Sequence, residues 1–532
     1  MVENKTCIIG AGSSGMVAAK VLKEKGLPFD CIEVGSKIGG LWRYNNDNGM
    51  SSAYKSLHIN SSRREMAFSD FPMPHDYPDF PHHSHIIRYF DSYAEHFGLL
   101  DHIEFCSRVE EVTKCDDGYE VIISRNMAKH NAGDGSVPYE PGDVEKRFYK
   151  SVIVANGHHW APKTAEFPGE FEGQAMHSHY YKTTDDFTDK KVLVIGIGNS
   201  GCDIACDLSR VAAETVLSTR RGAHIIPKYI FGKPLDVVCP AAFWNYLPTS
   251  VLKTFFSACL YLARGRMKRY GLPTPPHKIL EEHPTVSADL LNRIGHGQVI
   301  VKPNVSGFEG KQVRFVDGTC KDFDAVIYAT GYQIKFPFLP ENLLRCKANE
   351  VKLYRKAIHP EHAGLYFVGL VQPWGPLMPL SEAQCAWIAD LISGEGSLPN
   401  KEQMLRSIEK ERAEMRKRYT DSERHTIQVD FHPYLRQLKL EKKQSLRRGK
   451  SSPVETRQLE APEVLHGKLE SASSRRGVLE LLQHWGLTGS QDEKASPEPV
   501  ETSDDNRLQE ILPSEPVSES ESEQDYVSRK AS

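Results

Sequence analysis

The chain has 532 residues, of which 39% are hydrophobic, 9% aromatic and 26% charged, and this balance excludes a wholly disordered or collagen-like protein. Its 66 basic and 70 acidic residues leave a formal net charge of −4, so we expect no nucleic acid as its main partner. The 11 cysteines include no C-x-x-C pair, which excludes a disulfide-based scaffold and indicates the reduced thiols of a cytoplasmic protein.

No uninterrupted stretch of about 18 apolar residues occurs in the sequence, so we expect no membrane-spanning helix. A glycine motif begins as early as Gly10, which leaves no room for a secretory signal segment before the fold starts. We therefore predict a cytoplasmic protein that, at most, attaches to the surface of a membrane.

The first chemical motif is a strand–turn–helix unit. Residues 7–9 form a short apolar run and residues 16–25 have a helical pattern. Glycines in such a turn allow a sharp bend, the close approach of a pyrophosphate and close packing of helix on strand, while the helix N-terminus attracts the phosphates. The predicted cofactor-binding residues of this turn are Gly10, Ala11, Gly12, Ser13, Ser14 and Gly15.

An acid follows the next apolar strand. Glu33 stands close to the spacing of roughly 20 residues at which such units bind a ribose hydroxyl. Its carboxylate would repel a 2′-phosphate, so this unit favours FAD or NAD over NADP. A glycine pair that lets the backbone approach a cofactor follows soon after, in Gly39, Gly40, Leu41 and Trp42.

A second unit of the same kind has the opposite charge preference. Residues 191–195 predict a buried strand and residues 202–209 a helix. The next strand ends in Arg220 and Arg221, at the place where the first unit has its acid. Since arginine binds phosphate in a bidentate manner, this unit favours NADP. The turn itself consists of Gly196, Ile197, Gly198, Asn199, Ser200 and Gly201.

Two such units in one chain predict an NADPH-reduced flavoprotein. A disulfide reductase of the same architecture would need a redox-active cysteine pair beside the flavin. Cys202 and Cys206 are separated by three residues on the predicted helix of the second unit, and we interpret them as structural. Dioxygen is then the remaining electron acceptor.

Two further regions carry weaker signals. Aromatic and leucine residues between positions 243 and 261 predict core packing, with a substrate gate or a lipid contact through Phe255 and Phe256 as alternatives. The histidine clusters at 82–85, 158–159 and 177–179 lack acids or cysteines at ligand spacing, so we predict no metal site. From about residue 441 the composition predicts a disordered polar tail, with one short helical pattern at 475–487 and an acidic end at 491–532.

Residues 171–182 read Phe-Glu-Gly-Gln-Ala-Met-His-Ser-His-Tyr-Tyr-Lys. This is similar to the F-x-G-x-x-x-H-x-x-x-[YF]-K fingerprint of the flavin-containing monooxygenases, which are class B flavoprotein monooxygenases of the dimethylaniline-monooxygenase type. The related Baeyer–Villiger enzymes typically end that fingerprint in Trp-Pro, which this chain lacks. The resemblance extends over about residues 1–430 and includes the blocks at 39–42, 54–61, 68–72, 329–332, 369–373 and 424–428.

The resemblance implies a reaction cycle in which NADPH reduces FAD and oxygen forms a C4a-hydroperoxyflavin. An amine nitrogen or a sulfur atom of a small molecule, often a xenobiotic, then takes the distal oxygen to give an N-oxide or S-oxide. It also implies that Asn60 is the catalytic residue beside the flavin, with Ser61, Thr330 and Gln372 at the FAD. His177 and Tyr181 would set the geometry of NADP.

A structural alternative exists for Asn60. Ser62-Arg63-Arg64-Glu65 has the pattern of a helix capping box, so Asn60 could simply lead into a helix.

We therefore predict an α/β protein with two Rossmann-like dinucleotide-binding domains. The FAD domain comprises residues 1–165 and 323–430, the NADP domain comprises residues 166–322 with an insertion at about 223–290, and the tail comprises residues 441–532. Baeyer–Villiger oxygenation, a peroxide-producing NADPH oxidase and a nucleotide-sensing scaffold stay open as alternatives. The oligomeric state, including a homo-oligomer, and peripheral contact with the endoplasmic reticulum membrane also stay open.

Overall fold

The structure is a computed structural model that describes residues 4–126, 141–238, 241–419 and 425–451. The predicted helical pattern at 475–487 and the acidic end at 491–532 lie outside these ranges.

The first glycine motif follows the central strand of a five-stranded parallel sheet. All four residues of that strand are buried, because helices and loops cover both faces of the sheet. Helices Ser13–Glu24 and Met378–Ile392 pack against each other on one face. The order of the strands across the sheet is Leu365–Phe367, Ser151–Val154, Thr6–Ile9, Phe29–Ile32 and Ile103–Glu104.

The second glycine motif follows the central strand of another five-stranded parallel sheet. Ala325–Tyr328 is a strand of this second sheet, so the predicted boundary at residues 322 and 323 lies one strand too early. The chain returns to the first sheet only with Leu365–Phe367. The order across the second sheet is Ile300–Lys302, Glu214–Ser218, Lys191–Ile195, Ala325–Tyr328 and Gln174–His177.

The two sheets have the alternation of parallel α/β architecture, with a separate hydrophobic cluster on each face. Ile8 packs on one face of the first sheet, whereas Cys7 and Ile9 pack on the other. In the second sheet Val192 and Val194 lie in one cluster, and Leu193 and Ile195 lie in the opposite one. The predicted α/β fold with two dinucleotide-binding units is confirmed.

The remaining elements surround these sheets. Two three-stranded antiparallel sheets consist of Ser107–Cys115, Gly118–Asn126 and Pro141–Tyr149, and of Val305–Glu309, Gln312–Phe315 and Cys320–Asp322. The two-stranded pairs are Ala161–Pro162 with Tyr332–Gln333, Gln372–Trp374 with Gln428–Asp430, Ile225–Ile226 with Thr285–Val286, and Tyr229–Ile230 with Lys233–Pro234. The other helices are Arg63–Met66, His83–His96, Asn199–Leu208, Leu235–Val238, Ala241–Tyr246, Thr249–Arg264, Leu290–Gly295, Lys401–Arg418 and Phe431–Ser451, and the 3-10 turns are Gly40–Trp42, Leu100–His102, Asp185–Phe187 and Met267–Tyr270.

Helix Phe431–Ser451 extends beyond the predicted start of the tail at residue 441. Its buried residues include Leu438, Glu441 and Ser445, which share one helical face. Arg448 donates from Nε to the Ser397 carbonyl at 2.9 Å. The composition placed the start of the tail too early, because part of the buried face of this helix is polar and resembles a disordered segment.

The inserted segment after the strand Glu214–Ser218 has a small core of its own. In helix Thr249–Arg264, Phe256 is only 4% exposed, and its ring centroid lies 5.3 Å from that of Trp244. Phe255 packs beside the same cluster. Substitution of these two phenylalanines would therefore test packing and not lipid contact. None of the described helices is both long and apolar enough to cross a bilayer.

Candidate active site

The first glycine turn packs so closely on neighbouring backbone that two of its glycines have no room for a Cβ atom. Gly10 has φ of +99°, and a Cβ there would lie 2.9 Å from the Ala155 carbonyl oxygen. A Cβ on Gly15 would lie 1.8 Å from the carbonyl oxygen of Gly10. The turn therefore requires glycine at both positions, as the motif predicts.

The helix that follows this turn presents an open N-terminus. Ser13–Glu24 begins after Gly12, and no side chain caps it. Its first N–H groups and the positive end of its dipole are thus available to an anion, which is what a bound pyrophosphate requires. Ser14 lies at this end, and its hydroxyl is 3.2 Å from that of Ser381.

The second glycine pair lies against this turn. Gly39 donates its N–H to the Ala11 carbonyl at 3.0 Å. A Cβ on Gly40 would lie 3.1 Å from the Gly12 Cα atom. The carbonyl of Leu41 accepts from the Ser51 hydroxyl at 2.8 Å, and Trp42 is partly buried against the core. Two motifs separated in sequence therefore form one backbone cradle.

Glu33 connects the same cradle to the end of the second strand. Ala11 donates its N–H to Glu33 Oε2 at 2.6 Å, and Gly35 donates to Oε1 at 2.8 Å. The side chain is buried, which raises its pKa, while these two backbone bonds oppose that shift. A carboxylate has further lone pairs, so it can also accept ribose hydroxyls.

Asn60 lies at a bend just before the short helix Arg63–Met66. Ser62 occupies the N-cap position, but its side chain forms no capping bond, so the predicted capping box is absent. Asn60 and Ser61 are both half-buried. Within the described ranges, the Asn60 carboxamide has no hydrogen-bond partner, so its donor and acceptor are available to a ligand.

The second glycine turn repeats the geometry of the first. Gly196 has φ of +118°, and a Cβ there would lie 2.4 Å from the Ala329 carbonyl oxygen. A Cβ on Gly201 would lie 2.0 Å from the Gly196 carbonyl oxygen. Helix Asn199–Leu208 begins after Gly198 without a side-chain cap.

Two turn residues also contact their surroundings. The Ile197 carbonyl accepts from the Thr285 hydroxyl at 3.2 Å. Asn199 accepts from the Val286 N–H at 2.7 Å and donates to the Pro284 carbonyl at 3.3 Å, and Ser200 is half-buried. The Asn199 side chain thus ties the inserted segment to the turn.

The two arginines after the next strand differ from each other. Arg221 lies 3.1 Å from the buried carboxylate of Glu282, whereas Arg220 is exposed. Within the described ranges no carboxylate forms an ion pair with Arg220. Arg220 is therefore the arginine that is available to a 2′-phosphate.

His177 ends the edge strand Gln174–His177 of the second sheet and Tyr181 follows it; both are buried. His177 is 4% exposed, and burial lowers its pKa to about 4, so the ring is neutral at physiological pH. Its ring centroid is 5.4 Å from that of Tyr332. Tyr181 is buried in the hydrophobic cluster of the second sheet and donates to Asp207 at 3.5 Å. Any effect of Tyr181 on a nucleotide is therefore indirect.

Thr330 follows the strand Ala325–Tyr328 of the second sheet, whereas Gln372 begins the strand Gln372–Trp374, after the chain has returned to the first sheet. The Thr330 hydroxyl donates to the Lys163 carbonyl. The Gln372 N–H donates to the Ile427 carbonyl at 2.9 Å, and its side chain is half-buried. Their predicted contacts with FAD stay predictions.

Sequence reasoning missed a set of acids on helix Asn199–Leu208. Tyr54 donates to Asp203 at 2.6 Å, and Ser56 donates to Asp207. The two acids are four residues apart, so they share one helical face, and both contact the segment that leads to Asn60. That spacing was visible in the sequence and is the signal that could have identified them.

The two cysteines of the second unit lie in an environment that does not suit a redox-active pair. Cys202 is fully buried and Cys206 is 6% exposed, both within the core of the second sheet. Burial raises the pKa of Cys206 to about 12, so a thiolate is disfavoured.

Comparison with known proteins agrees with this geometry. A family model described as flavin-binding monooxygenase-like matches residues 3–445. The chain is 41% identical over 448 residues to flavin-containing monooxygenase 5 of Rattus norvegicus, and the alignment covers 81% of each protein.

Solved structures share the fold. S-allyl-L-cysteine S-oxygenase from Allium sativum has a TM-score of 0.59 and 25% identity, with 84% of this chain and 92% of that chain covered. OTEMO in complex with FAD and NADP has a TM-score of 0.62 at 16% identity, with 83% of this chain and 98% of that chain covered.

Proposed function

This chain belongs to the flavin-binding monooxygenase-like family, and from that premise we propose that it oxygenates a nucleophilic nitrogen or sulfur atom of a small molecule. FAD and NADPH are its cofactors. The balanced reaction consumes one NADPH, one proton and one O2, and it yields NADP⁺, water and the N-oxide or S-oxide.

When bound, FAD would supply the hydride-accepting and O2-activating chemistry of the reaction, which protein side chains cannot provide. The protein residues bind, orient and exclude water. In the first unit, the uncapped helix after Gly12 would hold the pyrophosphate and Glu33 the adenosine ribose. In the second unit, the uncapped helix after Gly198 would hold the pyrophosphate of NADPH and Arg220 its 2′-phosphate.

The observation that carries the proposal is the contrast between these two units. A buried acid follows the second strand of one unit, and an exposed arginine, with no ion pair among the described residues, stands at the same place in the other. This arrangement suits an electron path from a phosphorylated nicotinamide to a flavin. Because Cys202 and Cys206 are buried in the core, O2 is favoured over a disulfide as the acceptor.

Asn60 has the chemistry that the site needs. Its Nδ2 group can donate to an oxygen atom at the flavin, while Oδ1 can accept from the nicotinamide carboxamide. A donor that is already in place where negative charge develops lowers the barrier without reorganisation.

The proposal is tested by stoichiometry in air-saturated buffer. With a tertiary amine or a dialkyl sulfide, we expect NADPH consumption to rise and one oxygenated product to form per NADPH. Hydrogen peroxide in equal amount to NADPH, without dependence on substrate, would identify an oxidase. Conversion of a ketone to an ester with amines and sulfides inert would identify a Baeyer–Villiger enzyme.

Replacement of Asn60 tests its role directly. We expect Asn60→Leu to lower the oxygenated product per NADPH by at least about tenfold, because a preorganised donor is lost. FAD content should stay unchanged, and the control is Asn292→Leu at an exposed position of helix Leu290–Gly295. Unchanged product per NADPH in Asn60→Leu would remove this residue from the mechanism.

A further inference from the structure

Two charged side chains bond backbone groups on either side of the Asn60–Ser61 pair. Lys228 donates from Nζ to the Ile59 carbonyl at 3.0 Å. The Ser62 N–H donates to Asp236 Oδ2 at 2.6 Å. Both side chains belong to the inserted segment, whereas Asn60 belongs to the first unit.

The two side chains lie on either side of one hairpin, Lys228 just before it and Asp236 in the helix Leu235–Val238 that follows it. Tyr229–Ile230 pairs antiparallel with Lys233–Pro234, and the Leu235 N–H donates to the Lys228 carbonyl at 3.0 Å. The hairpin therefore fixes the spacing between Lys228 and Asp236, so the two contacts form together.

The first unit holds the same segment through the buried Ile59 side chain and through hydrogen bonds with residues 74–81. The Ile59 N–H donates to the Pro81 carbonyl at 3.0 Å, and the Arg63 N–H donates to the Asp79 carbonyl at 2.8 Å. Without the hairpin, the Ile59 carbonyl and the Ser62 N–H would lose their described partners, and the peptides beside Asn60 would be held on one side.

The two charges are placed at an energetic cost. Both side chains are half-buried, and burial lowers the pKa of Lys228 and raises that of Asp236. Within the described ranges they form no ion pair with each other. The Lys228 ammonium group lies 5.0 Å from the centroid of the Phe80 ring. Charge-assisted hydrogen bonds are shorter and stronger than neutral ones, so this cost is offset by tight placement of two backbone groups.

We propose that Lys228 and Asp236 are positioning residues that hold the Asn60 carboxamide in its working orientation. The inference rests on the proposed function, in which Asn60 is the catalytic residue. It gives the inserted segment a specific task, which is to complete the flavin site from the side of the NADP-binding unit.

Three variants and one matched control test this inference on the purified FAD-containing protein. Lys228→Met removes the ammonium group and keeps the chain length, and Asp236→Leu removes the acceptor. Asp236→Asn keeps an oxygen acceptor for the Ser62 N–H. The control is Lys253→Met, which breaks an ion pair of the same inserted segment with Glu281 and does not contact residues 59–62.

The first readout is hydrogen exchange of the peptide that covers residues 57–66. We expect faster exchange in Lys228→Met and Asp236→Leu, and exchange as in the parent protein in Lys253→Met. The second readout is oxygenated product per NADPH, which should fall at least about fivefold in the first two variants with FAD content retained. Asp236→Asn should recover most of this loss.

The outcomes separate the two claims. If exchange is unchanged, or if it rises while product per NADPH stays at the parent value, the positioning role is wrong although the oxygenase proposal stands. If the parent protein forms no oxygenated product, or if Asn60→Leu has no effect, the proposed function itself has failed and the positioning role falls with it. Loss beyond that of Asn60→Leu in a Lys228→Met, Asn60→Leu double variant would also contradict the inference, because positioning should act through Asn60.

Discussion

The two glycine turns are nearly identical in backbone geometry and opposite in the side chains that follow them. Gly10 and Gly196 both have left-handed φ, and both turns lead into an uncapped helix. Glu33 is buried and holds two backbone N–H groups, whereas Arg220 is exposed. We propose that the turn provides the affinity for a pyrophosphate and that the residue after the next strand selects which dinucleotide binds.

The sharpest way to break this comparison is to change the same glycine in each turn. A Cβ at Gly15 or at Gly201 would lie 2 Å or less from a backbone carbonyl oxygen, so either turn must shift. We expect Gly15→Ala to lose FAD, with a flavin-to-protein absorbance ratio lowered at least about tenfold. Gly201→Ala should retain FAD and lose reduction by NADPH. Loss of FAD from Gly201→Ala alone would reverse the assignment of the two sites.

The arginine pair sharpens the comparison within the second unit. Arg220→Ala should lower kcat/KM for NADPH by about 10- to 100-fold and leave that for NADH nearly unchanged, because a charge-assisted contact with the 2′-phosphate is lost. Arg221→Ala is the matched variant. It should change the ratio of kcat/KM for NADPH to kcat/KM for NADH by less, because Arg221 is paired with Glu282. An equal loss with both nucleotides in Arg220→Ala would argue against phosphate recognition.

A smaller effect concerns His177, one of the buried titratable groups of the second unit. The pKa of His177 in the folded protein is lowered to about 4, below its unfolded value, because burial disfavours the imidazolium ion. Between pH 6.5 and pH 4 the unfolded chain binds the extra proton, so stability falls as pH falls. We expect His177→Gln to reduce this loss by up to about 3 kcal/mol at pH 4, measured by urea unfolding from pH 7.5 downwards. If the free energy of unfolding of His177→Gln changes with pH as that of the parent protein does, His177 is not a buried, neutral imidazole.

The sequence predicted the parts of the fold that depend on short-range patterns. The strand at residues 191–195 and the glycine turns appear where the patterns place them, because alternating burial and glycine geometry are local properties. The end of the second sheet was placed too early, since the pairing of Ala325–Tyr328 with Lys191–Ile195 depends on contacts distant in sequence. The same holds for the helix that extends to Ser451.

The motifs of the site were predictable from the sequence, but the side-chain contacts that their residues form in the structure were not. Composition and spacing could not indicate that Arg221 is paired with Glu282, because the acid lies far along the chain. The Ser62 pattern predicted a capping box, but its N–H donates to Asp236 of the inserted segment. The capping pattern is a local signal, and in the structure a long-range hydrogen bond with the charged side chain of Asp236 replaces it. That bond lies two residues from Asn60, the residue proposed to act at the flavin.

The most direct test of the account is a single turnover. The purified yellow protein is reduced anaerobically with one equivalent of NADPH and then mixed with oxygenated buffer that contains a dialkyl sulfide. We predict that the flavin absorbance bleaches in the first step and that close to one sulfoxide forms per flavin in the second. A flavin that NADPH fails to bleach, or hydrogen peroxide in place of sulfoxide, would contradict the account.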